Sequence, residues 1–523
     1  MRRIAVALVL MAATTAAAAQ DPLDLDTVNR VWDEGFKHSQ VMATLGYLTD
    51  VIGPRLTGSP QMRQANEWTR DKFAQWGLAN AHLEGYEFGR GWSFSKSVVR
   101  MVAPREVQLY ALPLSWHPGT NGVLAGEAIR ARIEREEDFD KFKGKLAGRI
   151  ALLSDGGEPS TPERAAFQRL SEDELESQRS YRIPGLADED FRSGLARQFV
   201  FEAKLFAFLK EQGAIAAVRR SPRDAGLIEA SAYLHKAGES PEIPAVAMAS
   251  EDYRRILRLL DREETVTLEM EVKARYHDAD TRAYNTIAEI PGRGRDPEIV
   301  MAGAHLDSWF VADGAVDNGV GSAIVMEAAR ILATLQIRPK RTIRFALWSG
   351  EEQGLYGSQH YVETHFGMRP TPEDTDKATL PPFFWYDSTY PVTTKRDHEK
   401  LSVYFNIDNG SGRIRGIYGE SNVAAGPIFK RWLEPFHDLG ATMVVLNSGG
   451  HSDHLLFQWV GLPAYQFIQD PLDYGSRLNH TQIDTLDHVQ ERDARQASVI
   501  LASFLYHAAM RDERMPRKPL PTK

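Results

Sequence analysis

From Ala283 onward, apolar runs of strand length alternate with helical stretches. That alternation is the pattern of a mostly parallel sheet flanked by helices, an α/β fold. Strands are expected at 283–290, 298–304, 342–348, 401–407 and 462–468. After Asn318, residues Ile324, Ala328, Ile331, Leu332 and Leu335 fall on one helical face. In an open parallel sheet the ligand crevice lies beyond the carboxyl ends of the strands. The residues just past each run are therefore where chemistry is sought.

The rest of the chain is organised around this region. With 523 residues it is too long for one ordinary domain. Residues 20–118 read as an N-terminal part of the catalytic domain, and 273–523 as its main part. A helix is expected over 27–48. The turn Arg55-Leu56-Thr57-Gly58-Ser59-Pro60 leads into another over 61–76, with Gly77 as its stop. Short strands follow at 97–101 and 107–112. Between 119 and 272 the texture changes. Strand-like runs at 124–132, 147–153, 213–218, 243–248 and 265–272 surround a charged stretch, 162–197, and helices at 199–212 and 251–260. This segment carries no catalytic constellation and reads as a β-rich insertion. Residues 363–400 are polar, aromatic and proline-containing, as a lid or binding loop would be.

Arg2 and Arg3, the apolar run 4–11 and Ala17-Ala18-Ala19 have the form of a secretory signal over residues 1–19. The apolar core is far short of the ~20 residues a membrane span needs, and no later run is long enough. The chain has no cysteine, which excludes disulfides, thiolate metal sites and cysteine catalysis. An exported chain without disulfides fits a bacterial periplasm. The net charge of −9, and the lack of an arginine-rich stripe with aromatics, argue against nucleic-acid binding.

Glu351 and Glu352, in W-S-G-E-E-Q-G, follow the run 343–348. Two adjacent carboxylates at a strand end repel, and a metal ion can neutralise one while the other serves as a base. In an extended segment their side chains alternate, so one can bind metal while the other faces a water. His305 and Asp307 follow the strand ending M-A-G-A; Asp307 is placed to orient the imidazole. Asp317, in G-A-V-D-N-G-V-G-S, is either a bridge between two cations or a helix N-cap. Asp408 ends the run 401–407. His480 lies in N-H-T-Q-I-D-T-L-D, where Asp484 or Thr481 can fix its ring. His451 and His454, in G-G-H-S-D-H, are candidate ligands, substrate contacts or surface histidines. Histidine and carboxylate donors without thiolate suit zinc, with manganese or cobalt as lesser options. Five ligands with a bridge suggest two metals roughly 3.5–4 Å apart.

The motifs A-H-L-D, V-D-N-G-V-G-S, W-S-G-E-E-Q-G-L-Y-G-S, Y-F-N-I-D-N-G-S-G, S-D-H-x-x-F, H-T-x-x-D-T and R-L-T-G-S-P occur in that set and order. Together they resemble the co-catalytic zinc peptidases of the M28 type, which include bacterial aminopeptidases and the plasma glutamate carboxypeptidase group. The resemblance implies that His305 and Asp408 hold one zinc, Glu352 and His480 the other, and that Asp317 bridges. It implies that Glu351 is the general base and that Asp307 steadies His305. The runs G-R-I-A-L-L, G-A-I-A-A-V and I-P-A-V-A-M resemble a protease-associated domain inserted at 119–272. Some family members carry an oxyanion-stabilising tyrosine before S-D-H; here Gly449-Gly450-His451 stand there, leaving His451 or Tyr474 as substitutes. The match of Asn479-His480-Thr481 to a glycosylation sequon is accidental, since a glycan would abut a ligand.

The activity implied is an exported di-zinc exopeptidase acting on peptides, an aminopeptidase first and a carboxypeptidase or dipeptidase second. A single-zinc acyltransferase like glutaminyl cyclase and a non-catalytic binding protein are the remaining alternatives. The first is opposed by Asp317, and the second by the complete ligand set.

Overall fold

The computed structural model describes residues 21–160, 162–183, 186–232 and 241–523. The expected export signal at 1–19 lies outside them. Two eight-stranded sheets organise these residues.

In chain order the strands are β1 (Ala79–Glu87), β2 (Gly91–Ala103), β3 (Val107–Leu109), β4 (Ala111–Pro113), β5 (Leu124–Arg130) and β6 (Ile150–Leu152). They continue with β7 (Ala216–Arg220), β8 (Ala245–Met248), β9 (Thr267–His277), β10 (Arg282–Ile290), β11 (Ile299–His305) and β12 (Thr342–Trp348). After the two-residue ribbon β13 (Gly367–Met368) and β14 (Thr393–Thr394) come β15 (Leu401–Asn406), β16 (Ile414–Tyr418), β17 (Met443–Val445) and β18 (Ala464–Gln469).

The first sheet has the order β1-β10-β12-β11-β15-β18-β16-β17. Its centre, β12-β11-β15-β18, is parallel, and antiparallel pairs flank it. The five strands expected from the apolar runs are all present within two residues of their expected ends. Every residue of β11 and β15 is buried, as strands covered on both faces must be. Alternate side chains feed two cores. On one side Val300, Ala302, Phe345 and Phe405 pack under helices Leu25–Lys37, Val320–Thr334 and Glu491–Met510. On the other, Met301, Trp348 and Tyr404 meet Tyr361, Phe457 and Tyr386. The helix Val320–Thr334 is buried on all sides from Val320 to Leu332, not on one face as its apolar stripe implied. It lies between the sheet and two further helices.

The expected helix 27–48 is divided. The first part, Leu25–Lys37, is capped by the Asp24 carboxylate, which accepts from Thr27 N; a second helix starts at Val41. Ser59 likewise caps Pro60–Gln75 by accepting from Met62 N.

The second sheet has the order β3-β2-β9-β5-β6-β7-β8-β4. It starts at Gly91, earlier than the limit of 119 read from sequence, and ends at His277. The cause is pairing: β2 runs antiparallel to β9 from Gly91–His277 to Ala103–Thr267, so neither can be divided from the other. The long helix Leu186–Glu211 begins inside the charged stretch expected as a connection. Segment 363–400 is not structureless: it holds β13 and β14 and short turns at Pro382–Phe384 and Tyr386–Ser388.

Candidate active site

His305 is the last residue of β11. Glu351 and Glu352 lie three and four residues beyond the end of β12, and Asp408 two beyond β15. Asp317 sits in the tight segment Ala315–Gly319 before helix Val320–Thr334, and His480 in the loop after β18. The parallel strands bring these residues to one end of the sheet. His305 Nε2 is 3.4 Å from Asp317 Oδ1 and 3.4 Å from Asp408 Oδ1. His480 Nε2 is 3.3 Å from Asp317 Oδ2 and 3.0 Å from Glu352 Oε2. Glu351 Oε2 stands 3.9 Å from His305 Nε2. The two oxygens of Asp317 thus face two different histidine–carboxylate sets.

These distances fit metal ions. Ligands about 2.0–2.1 Å from a tetrahedral zinc stand roughly 3.3 Å from one another. His305, Asp317 and Glu352 each offer a donor atom within 4.8 Å of the others. Glu352 Oε1 is buried with no hydrogen-bond partner, which is costly for a carboxylate unless a cation meets it.

His305 Nδ1 is 2.9 Å from the backbone carbonyl of Asp307. A carbonyl only accepts, so Nδ1 carries the proton and Nε2 presents its lone pair. Asp307 holds the ring as expected, its carbonyl as the near contact at 2.9 Å and its carboxylate further off. The carboxylate, 3.7 Å from Nδ1, accepts instead from Thr57 Oγ1 (3.0 Å) and from the amides of Glu352 (3.3 Å) and Glu351 (3.4 Å). It holds the loop that carries the glutamate pair. Asp484 does the same for the segment that carries Asp317, accepting from Val316 N at 2.7 Å and Asp317 N at 3.0 Å. The hydroxyl of Thr481 donates to the carbonyls of Arg477 and Leu478. Asp484 and Thr481 thus order the backbone around Asp317 and in the loop that carries His480.

Tyr474 and Asn479 close on the bridge. Tyr474 Oη donates to Asp317 Oδ2 at 3.1 Å, and Asn479 Nδ2 donates to the same oxygen at 2.8 Å. The Asn479 amide is thus engaged inside the site. Asn318 Nδ2 donates to Ile407 O, and its Oδ1 accepts from Gly321 N. A Cβ on Gly321 would lie 2.1 Å from Asn318 Oδ1 and 2.6 Å from Ile407 O, so only glycine fits.

Sequence reasoning quoted the R-L-T-G-S-P turn but gave it no task. Arg55 is fully buried. Its guanidinium donates to Leu306 O, Asp313 O and Gly314 O, each at 2.7 Å, bracing the loops on both sides of the site. Thr57 bridges Asp307 and Gly350 N. Asp453, from S-D-H, also lies buried near the site, and burial pushes its carboxyl up to about 8.

The cluster is electrostatically crowded. Burial, with Asp408 and Asp453 nearby, holds the Glu351 carboxyl well above its usual range, although His305 opposes the shift. Burial and Asp317 push Glu352 up to about 7. Burial opposes the charge of His305, but Asp408 and Glu351 outweigh it and raise the imidazole. Asp317 is held low by the two histidines against its burial. Burial, then Asp317, raises the Tyr474 phenol.

A cleft of about 250 Å³ opens over these groups. His305, Asp317, Glu351, Glu352, Asp408, His480, Tyr474 and His451 line it, together with an apolar wall. His454 does not. It starts helix His454–Trp459 with its ring fully buried, which lowers its pKa to about 3, so its candidate role in substrate contact is withdrawn.

Residues 285–505, which contain every one of the proposed metal ligands, match the model of Peptidase family M28. Over these residues the chain is similar to that family, and the likeness of fold extends further. Carboxypeptidase Q of Mus musculus is 26% identical over 476 residues, covering 90% of this chain and 86% of the relative. Aminopeptidase YwaD of Bacillus subtilis (strain 168) is 27% identical over 226 residues, 43% of this chain and 44% of that protein. The crystal structure of a Peptidase M28 precursor from Shewanella amazonensis SB2B superposes with a TM-score of 0.65 at 25% identity, covering 95% of this chain and 99% of that one. The chain is an exopeptidase of the hydrolase class, and its relatives include enzymes named for either end of a peptide.

Proposed function

We propose that the chain is a di-zinc aminopeptidase, exported to the periplasm, that releases N-terminal residues from peptides. The observation that carries the two-metal reading is Asp317, whose Oδ1 and Oδ2 face His305 and His480 separately. His305, Asp408 and Asp317 would hold one zinc; His480, Glu352 and Asp317 the other. When bound, the zinc ions polarise the scissile carbonyl and lower the pKa of a water. Glu351, which lines the cleft with its Oε2 3.9 Å from His305 Nε2, takes the proton of the attacking water and delivers one to the leaving amine. Tyr474 and His451 line the cleft where the oxyanion develops. Among the described residues that line the cleft there is no lysine or arginine, which favours an N-terminal ammonium over a terminal carboxylate as the group bound there. The cysteine-free composition and the pattern of residues 1–19 support export. Among the described residues no helix is long and apolar enough to cross a membrane. The inserted sheet is read as a protease-associated domain.

A carboxypeptidase or dipeptidase is the second reading, because Carboxypeptidase Q matches 90% of the chain whereas Aminopeptidase YwaD matches 43%. A panel of free, N-blocked and C-blocked dipeptides offered to the zinc-loaded protein separates the two. An aminopeptidase cleaves the free and C-blocked peptides only; cleavage that survives an N-block would overturn the first reading.

A further inference from the structure

The inserted segment reaches the catalytic cleft. Leu195 and Phe199 of helix Leu186–Glu211 line it, facing Phe383 and Phe384 from the turn Pro382–Phe384. We propose that these four residues form a side-chain subsite for a large apolar residue next to the scissile bond, so that the inserted helix sets substrate preference. This rests on the peptidase reading.

The wall is built, not incidental. Phe199 and Phe384 meet edge to face with ring centroids 5.1 Å apart, and Phe383 meets Phe384 in the same way at 5.2 Å. Phe383 also stands edge-on to His451 at 5.2 Å, which joins the apolar wall to the polar floor of the cleft. Arg192 clamps the helix to the turn: its Nη2 pairs with Asp387 at 2.6 Å and its guanidinium lies 6.0 Å from the Phe383 ring. About two turns of helix beyond Phe199, the same helix enters the core of the second sheet through Leu205, Phe206 and Leu209. A single helix is thus anchored in one domain while its near end borders the proposed metal site of the other.

Leu195, Phe383 and Phe384 are only partly buried. They present apolar surface on the cleft side, beside Leu355, with the proposed ligands His305, Asp408 and His480 lining the same cavity. Apolar surface in such a place gains by removing a leucine or phenylalanine side chain from water. A charged side chain would lose its hydration there without a partner of opposite sign on the wall.

Dipeptides X-Ala and Ala-X, with X as Ala, Leu, Phe or Glu, test this with the zinc-loaded protein. At one of the two positions, Leu and Phe should exceed Ala in kcat/KM by about 10–200-fold, with Glu slowest. Phe383→Ala should cut that preference by about tenfold, and Phe383→Leu should restore it. Leu195→Ala, at a partly exposed helix position, should lower the same ratio without changing the melting temperature. Turnover that ignores X, or a ratio unchanged in the Leu195 and Phe383 variants, would overturn the subsite and leave the peptidase reading standing. If no dipeptide turns over, both fall.

Discussion

Glu351 and Glu352 are neighbours in sequence with different partners in space. Glu352 Oε2 lies against His480, and Glu351 Oε2 faces His305 from 3.9 Å. Replacing each by glutamine should therefore give two different defects. Glu351→Gln is expected to lower kcat by about 10²–10⁴-fold with zinc content near that of the parent. Glu352→Gln is expected to lose bound zinc, and elemental analysis beside the kinetics distinguishes the two. A second residue-scale prediction concerns His117, which is fully buried with Nδ1 2.9 Å from Ile243 O; burial lowers its pKa to about 3. The unfolded chain binds this proton below about pH 6.5 while the native state refuses it, so native stability falls as pH drops from 6.5 toward 3. Between pH 7 and 5 this one group should cost about 2 kcal/mol. Urea unfolding of the parent should show a steeper loss than His117→Asn over that interval. The clustering of the proposed ligands was legible in the sequence because each stands at or beyond the end of an apolar run. Their braces were not, because Arg55, Asp307 and Asp484 act on backbone carbonyls and amides, which leave no signature in a string of residue types.

The helix Val320–Thr334 shows the same limit at the level of elements. Its apolar positions gave the helix and one buried face, and carried no sign of what Glu327 and Arg330 do. Both are buried and hydrogen-bonded: Arg330 donates twice to Glu327 at 2.8 Å and once to Glu34 at 2.6 Å, and Glu327 also accepts from Gln40 N. A charged pair that satisfies itself inside looks, in sequence, like one that faces water. Glu327→Ala should cost about 3–5 kcal/mol, because it leaves Arg330 buried without its main partner. The double variant Glu327→Leu/Arg330→Met should recover much of that loss, as denaturant titration would show. The central strands β11, β12, β15 and β18 were legible from their continuous apolar runs. The edge strand β1 was not, since its sequence A-N-A-H-L-E-G-Y-E is largely polar and only partly buried. β2 was expected at five residues and has thirteen, because its serines and lysine interrupt the pattern while its backbone pairs with β9 throughout.

At the scale of the molecule, the two sheets meet at the loop that carries His480. The Gln482 side chain accepts from Ile228 N at 2.6 Å and donates to Gly226 O at 2.9 Å, so one amide clamps the inserted domain's backbone. Arg223 reaches Gly475 O from the same domain, a bridge links Glu229 to Thr481, and another links Gln168 to Leu472. Tyr474, Asn479 and His480 all lie between these attachment points. A loop exposed on the first sheet alone would sample many conformations, and ordering it would draw on the free energy of metal binding. The insertion supplies that order beforehand. Gln482→Ala removes the clamp without touching a proposed ligand and should weaken zinc affinity by about 10–100-fold, the range typical of residues that orient a metal's ligands. Competition with a zinc chelator would measure it. Gln482→Glu keeps the acceptor for Ile228 N but loses the donor to Gly226 O, and should fall between the parent and Gln482→Ala. Equal zinc affinity in all three proteins would mean that the His480 loop holds its shape without the insertion.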